Sequence, residues 1–99
     1  LLFCADVSDD ARVREMAQQI KTDFGRLDVL VNNAATTSFV PHSDLEGLTE
    51  EMWDRMFAVN LKGAFFVTRS VNDLLQAGAG GAVVNVSSIA QPPSIASRA

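Results

Sequence analysis

The chain has no tyrosine, one cysteine, one histidine and one tryptophan in 99 residues. Without tyrosine, a phenolic proton donor is excluded from these residues. The single thiol, Cys4, excludes an internal disulfide and, with no signal-peptide pattern, points to a reducing, cytoplasmic setting. Cys4 lies in an apolar run, which predicts a buried, unreactive thiol. The lone His42 lies in a proline-containing stretch with no ligand pattern around it, so a metal site has no support. No apolar run approaches the ~20 residues that a membrane helix needs. Positive charge is also short. Eight Lys and Arg against twelve Asp and Glu give a net charge of −4. That disfavours nucleic acid or an anionic membrane as partner. It leaves room for a phosphate-bearing cofactor, because helix N-termini and backbone N–H groups bind phosphate without bulk positive charge.

What is present is ordinary for a globular chain of at most one domain: 47% hydrophobic and 20% charged residues. Leu1–Ala5 reads as a short buried strand. Ser8 is the expected N-cap of a helix running to about Phe24, with Asp9 and Asp10 at its positive end. Val13, Met16, Ala17, Ile20 and Phe24 form its core face, and Gly25 its stop. Leu27–Val31 is the second strand, followed by a long loop, Asn32–Leu48. Thr49 caps a helix whose first turn holds Glu50 and Glu51. From Trp53, Met56 and Phe57 through Asn60, Leu61, Ala64, Thr68 and Val71 to Leu75, one apolar stripe follows, with a bend expected near Asn60 or Gly63. The run ends at Gly78-Ala79-Gly80-Gly81. Ala82–Ser87 is the third strand, and Gln91-Pro92-Pro93 opens another loop. Alternation of strand and helix predicts an α/β fold, part of a doubly wound parallel sheet.

Polar residues interrupt these apolar patterns at telling places. Asn60 sits on the helical stripe, and burying an amide without a partner costs a few kcal/mol. Asn33 ends the second strand, followed by Ala34 and Ala35, and Ser87 and Ser88 end the third. Asp6 and Val7 follow the first. Asp6, Asn33 with Ala34 and Ala35, and Ser87 with Ser88 all lie at strand carboxyl ends, where doubly wound sheets bind ligands. Each also has a plainer reading. Asp6 fits a turn before a helix, Asn33 a strand end closed by local bonds, Asn60 a structural amide and Ser88 a loop hydroxyl. Glu50 and Glu51 read as helix N-terminal charge, not a catalytic dyad.

Asn32-Asn33-Ala34-Ala35 resembles the Asn-Asn-Ala-Gly motif of the short-chain dehydrogenase/reductase family. Asn60-Leu61-Lys62-Gly63 is similar to that family's segment with a catalytic Asn, and Val84-Asn85-Val86-Ser87-Ser88 to the strand delivering its catalytic Ser. Asp6-Val7 is similar to the acidic turn that meets the adenine ring. The order and spacing of the four match, and the resemblance spans essentially the whole chain. It implies a Rossmann fold and hydride transfer between NAD or NADP and a small-molecule carbonyl or secondary alcohol. Asp6 would accept from the adenine amino group and Val7 pack near that ring. Asn33, Ala34 and Ala35 would line the ribose side, with Ala35 narrowing a place where the family prefers Gly. Asn60 would hold a water of a proton relay through a local helix distortion. Ser88 would hydrogen-bond the substrate oxygen, with Ser87 as the neighbouring alternative.

The family's Gly-rich phosphate turn and its catalytic Tyr and Lys have no counterpart here. The strand-like opening at Leu1 and the ending Ser97-Arg98-Ala99 predict a central piece, residues 1–99, of one longer NAD(P)-binding domain. The family's sheet order, 3-2-1-4-5-6, makes these the third to fifth strands. Leu1–Ala5 then lacks a native neighbour, and only Leu27–Val31 with Ala82–Ser87 can pair. The isolated piece is expected to fold poorly and to be inactive. Trp53, Phe57, Phe65 and Phe66 read as helix packing or subunit contact, and the resemblance implies a homo-oligomer, dimer or tetramer. The alternative function is a non-catalytic dinucleotide-binding regulator or scaffold of the same fold. An unrelated receiver or flavodoxin-like domain fits less well, since it would gather acidic residues or a phosphate loop at the strand ends.

Overall fold

The computed structural model describes residues 1–88. Helix α1 spans Asp10–Phe24, strand β1 Val29–Asn32, helix α2 Glu50–Phe57, helix α3 Ala64–Gln76 and strand β2 Ala82–Asn85. A π-helical turn, Ala58–Gly63, joins α2 to α3, and a 3-10 turn, Leu45–Gly47, precedes α2. The expected loop at Gln91-Pro92-Pro93 lies outside the described residues. β1 and β2 pair in parallel, from Val29 opposite Ala82 to Asn32 opposite Asn85. The ladder extends at both ends: Ala82 N donates to Asp28 O and Val86 N to Asn32 O, each at 3.0 Å. Parallel strands need a long crossover, and α2, the π turn and α3 supply it.

The helix ends follow local chemistry. Thr49 caps α2 as expected, its hydroxyl accepting from Met52 N. The cap of α1 is Asp9 rather than Ser8: the Asp9 carboxylate accepts from Arg12 N at 3.1 Å, while Ser8 bonds back to Asp6. Both residue types cap well, and Asp6 draws Ser8 away. Gly25 closes α1 at φ 71°, a left-handed conformation that glycine adopts without steric cost, and its N–H reaches Ile20 O and Lys21 O. The core lies where α1 meets α3. Ala17, Val71, Leu74 and Leu75 are buried together, with Ile20, Leu27 and Leu30 packed against them. Leu27 N donates to Leu74 O, tying the entry of β1 to the end of α3.

Three expectations are corrected. Leu1–Ala5 is not a strand, because no other strand lies beside it among the described residues and extended chain needs a partner for its backbone groups. Arg12 holds this segment instead, donating from Nε to Cys4 O at 3.1 Å and stacking 4.2 Å from the Phe3 ring centroid. Cys4 is exposed rather than buried for the same reason. Phe24, expected in the core face of α1, is 61% exposed at the last residue of the helix, outside the cluster that Ala17 forms with α3.

Candidate active site

The carboxyl ends of β1 and β2 open onto a cleft of about 860 Å³. Six of the seven residues singled out from the sequence line it: Val7, Asn33, Ala34, Ala35, Asn60 and Ser88. Asp6, the seventh, stands next to it through Val7 rather than on its surface. Ser87 lines the cleft as well as Ser88. Alternation along a regular strand would turn one of two adjacent serines away, but β2 ends at Asn85, so strict alternation stops before either serine.

Asn60 lies within the π turn. Its Oδ1 accepts from Thr36 N at 2.8 Å, and its Nδ2 donates to Thr36 O at 2.9 Å. The side chain thus pairs with a backbone unit as a strand neighbour would, and fastens the loop after Ala35 to the crossover. A local distortion expected at Asn60 is present as a π turn, a feature that often marks functional sites. Gly63, at the end of that turn, is buried beneath Val7. A Cβ at this position would come 2.6 Å from Val7 Cγ2, so the absence of a side chain lets the 6–8 turn pack down.

Asp6 is more engaged than a plain turn residue. Its Oδ1 accepts from Ser8 N at 2.9 Å and Ser8 Oγ at 2.7 Å, and its Oδ2 accepts from an Arg55 NH2 group at 3.0 Å. The Ser8 hydroxyl, then the Ser8 N–H and the Arg55 guanidinium, hold its carboxyl down at about 2, against an ordinary value of 3.8. Asn33 makes no side-chain hydrogen bond among the described residues. Asp10, on α1, also has its carboxyl lowered, first by Arg14 and then by Arg69.

Two features escaped the sequence reading. Asn32 Nδ2 donates to Asn85 Oδ1 at 2.9 Å and to Thr68 Oγ1 at 3.2 Å, and Thr68 donates on to Ala64 O at 2.8 Å. These side chains join both strands to α3, and Asn32 and Asn85 themselves line the cleft. Their signal was a polar residue at matching places near the ends of two apolar strands. Arg55 is the second: on an exposed helix face a lone cation looks merely solvated. A second cleft, about 780 Å³, lies between residues 1–3 and the end of α1. Leu2, Phe3, Ile20, Phe24 and Leu27 line it, and its one polar pair is Arg26 with Asp28.

Residues 1–98 match the sequence profile described as short chain dehydrogenase. The chain belongs to the short-chain dehydrogenase family. Within this family it is 38% identical to the galactitol 2-dehydrogenase of Agrobacterium fabrum over 84 residues, 84% of this chain and 32% of that protein. The crystal structure of a 3-ketoacyl-ACP reductase from Sinorhizobium meliloti superposes with TM-score 0.81 at 36% identity, over 90% of this chain and 34% of that one. ElxO with NADP bound superposes with TM-score 0.77 at 35% identity, covering 92% and 38%. The short-chain dehydrogenase chain described here therefore spans about a third of the length of these relatives. Its helices and parallel strands are part of that family's Rossmann fold. No helix among the described residues is long and apolar enough to cross a membrane.

Proposed function

We propose that the protein carrying this chain transfers a hydride between NAD(P) and a carbonyl or secondary-alcohol substrate, and that residues 1–99 are the central part of its dinucleotide-binding domain. The observation that carries this reading is the clamp between Asn60 and Thr36. It fixes the Asn33-Ala34-Ala35 loop against a π turn at the carboxyl ends of two parallel strands, in the cleft that Ser87 and Ser88 also line. The cleft suits a dinucleotide chemically. Ala34, Ala35 and Gly63 keep side chains short where a ribose must come close to backbone, and Val7 offers an apolar contact to a flat base. Asp6 is an ionised acceptor for an amino group, and Asn33 an amide for sugar hydroxyls.

When bound, the dinucleotide supplies or takes up the hydride at its nicotinamide ring. Ser88 donates a hydrogen bond to the substrate oxygen and stabilises the alkoxide that develops there, with Ser87 the alternative donor. Both polar atoms of the Asn60 side chain are bonded to Thr36, so a relay water would be held by its main-chain carbonyl in the π turn. A tyrosine of this chain does not serve as general acid/base, since the sequence has none. The half-exposed rings of Trp53, Phe57 and Phe65 support a homo-oligomer. The test is turnover of NADH and NADPH by the intact protein against a panel of ketones and secondary alcohols. Ser88→Ala is expected to lower kcat by about 10²–10³, the usual effect of removing one oxyanion donor. Dinucleotide binding with no turnover on any substrate would point instead to a regulator. No dinucleotide binding at all would end the proposal.

A further inference from the structure

We infer that Arg55 is a positioning residue for the dinucleotide: by gripping Asp6 and Ser8 together it leaves the Asp6 carboxylate one open acceptor site, which selects a base carrying an exocyclic amino group. This deepens the functional reading above and rests on it. The geometry is a closed ring of bonds. One Arg55 NH group donates to Asp6 Oδ2 at 3.0 Å and the other to Ser8 Oγ at 3.1 Å. The Ser8 hydroxyl spends its only hydrogen on Asp6 Oδ1 at 2.7 Å, and the Ser8 N–H reaches the same oxygen at 2.9 Å. A carboxylate offers about four lone-pair sites. Oδ1 has taken two donors and Oδ2 one, so a single site on Oδ2 remains.

That remaining site can only accept. Three donors hold the group ionised, so it meets an amino N–H favourably and meets a ring oxo group with lone pairs facing lone pairs. An adenine base satisfies it and a hypoxanthine base does not. Arg55 is suited to this work because its planar fork bonds two acceptors at fixed angles, which the point charge of lysine does not do. The ion pair is half exposed on both sides, at 54% and 47%, and such pairs add little stability, so its main effect is on orientation. Arg55 also stands in the last turn of α2, directly before the π turn that holds Asn60, and Val7 packs on Gly63 in that turn. The base-side turn is therefore braced from the crossover at two points.

The experiment compares the adenine dinucleotide with its hypoxanthine analogue in the intact protein, by KM and kcat and by equilibrium titration. The unsubstituted protein is expected to favour the adenine form by about ten-fold, the equivalent of one charge-assisted hydrogen bond. In Arg55→Ala the adenine KM rises about five- to ten-fold, the hypoxanthine KM stays put, and the change falls mainly on KM rather than kcat. Arg55→Lys recovers only part of the preference. Ser8→Ala moves the preference in the same direction and decides the matter where Arg55→Ala does not fold. Equal rises for the two dinucleotides, or an unchanged preference in both variants, overturn the inference and leave the functional reading standing. Failure of the unsubstituted protein to bind either dinucleotide overturns both.

Discussion

The two ends of the crossover are held together by different forces. Where α3 meets α1, Val71 is 1% exposed and its neighbours Ala17, Leu74 and Leu75 are likewise buried hydrocarbon. At the strand ends the contacts are amides and hydroxyls: Asn32 to Asn85 and Thr68, and Asn60 to Thr36. Asn60 is exposed to the cleft, and the pairing of its amide owes nothing to burial. Packed hydrocarbon is non-directional and accepts volume-conserving replacement. A paired amide has preferred lengths and angles and fixes its neighbour to a few tenths of an ångström. A cleft that must present a loop at a set distance is thus framed by bonds, while burial elsewhere supplies the stability.

The sharpest way to break this contrast is at Leu74. Leu74→Ala is expected to cost about 2–5 kcal/mol in chemical denaturation of the intact protein, with activity per folded molecule little changed. A comparable loss of turnover at full folding would show that the core also sets the site. Next comes Asn60→Ala, which removes two hydrogen bonds worth about 1–3 kcal/mol together. The expected signature is local: the Thr36 amide exchanges faster with solvent while the α1–α3 core keeps its protection. Uniform deprotection would mean that the two regions form one cooperative unit.

The smallest effect is the acid response of Asp6. Its carboxyl is depressed from 3.8 to about 2, so the folded state favours the charged form. The stabilising contribution is present above about pH 4 and is lost as pH falls through the interval down to about 2. Titration of the Asp6 carboxyl by NMR should show a midpoint well below the ordinary value. The midpoint should rise in Ser8→Ala, which removes the largest single cause, the hydroxyl bond, and also in Arg55→Ala, which removes the guanidinium bond and its charge. An ordinary midpoint in the unsubstituted protein would dissolve the Asp6–Ser8–Arg55 ring as a structural feature.

Much of the architecture was legible because it rests on local pattern. The 3.6-residue spacing of Val13 and Ala17, the Thr49 cap and the apolar run of β1 each specify their element without help from distant residues. Asn60 was legible because an amide interrupts the apolar stripe, although it is exposed to the cleft and not buried as that stripe implied. Its partner was not, since Thr36 belongs to a loop whose path no periodicity describes. Leu1–Ala5 failed as a strand for a related reason: apolar sequence proposes a strand, and only a neighbour makes one. Arg55 stayed hidden because its partners lie 47 and 49 residues away. The single stripe drawn from Trp53 to Leu75 also divides. Val59, Gly63, Val67 and Val71 are buried in steps of four, while Trp53, Phe57 and Leu61 are about half exposed or more.

That stepping gives the π turn a further meaning. In a regular α-helix, positions four apart drift about 40° around the axis at each step, so four such positions would spiral away from one another. The wider turn over Ala58–Gly63 takes up part of that drift and keeps Val59 and Gly63 in line with Val67 and Val71. It works as a phase adjuster between the two helices. Deleting one residue there would leave α1, both strands and the serines untouched in sequence. It would also let the i→i+5 turn close to a regular i→i+4 turn, so the faces of α2 and α3 would stay roughly in phase while the widened turn that carries Asn60 to Thr36 would be lost.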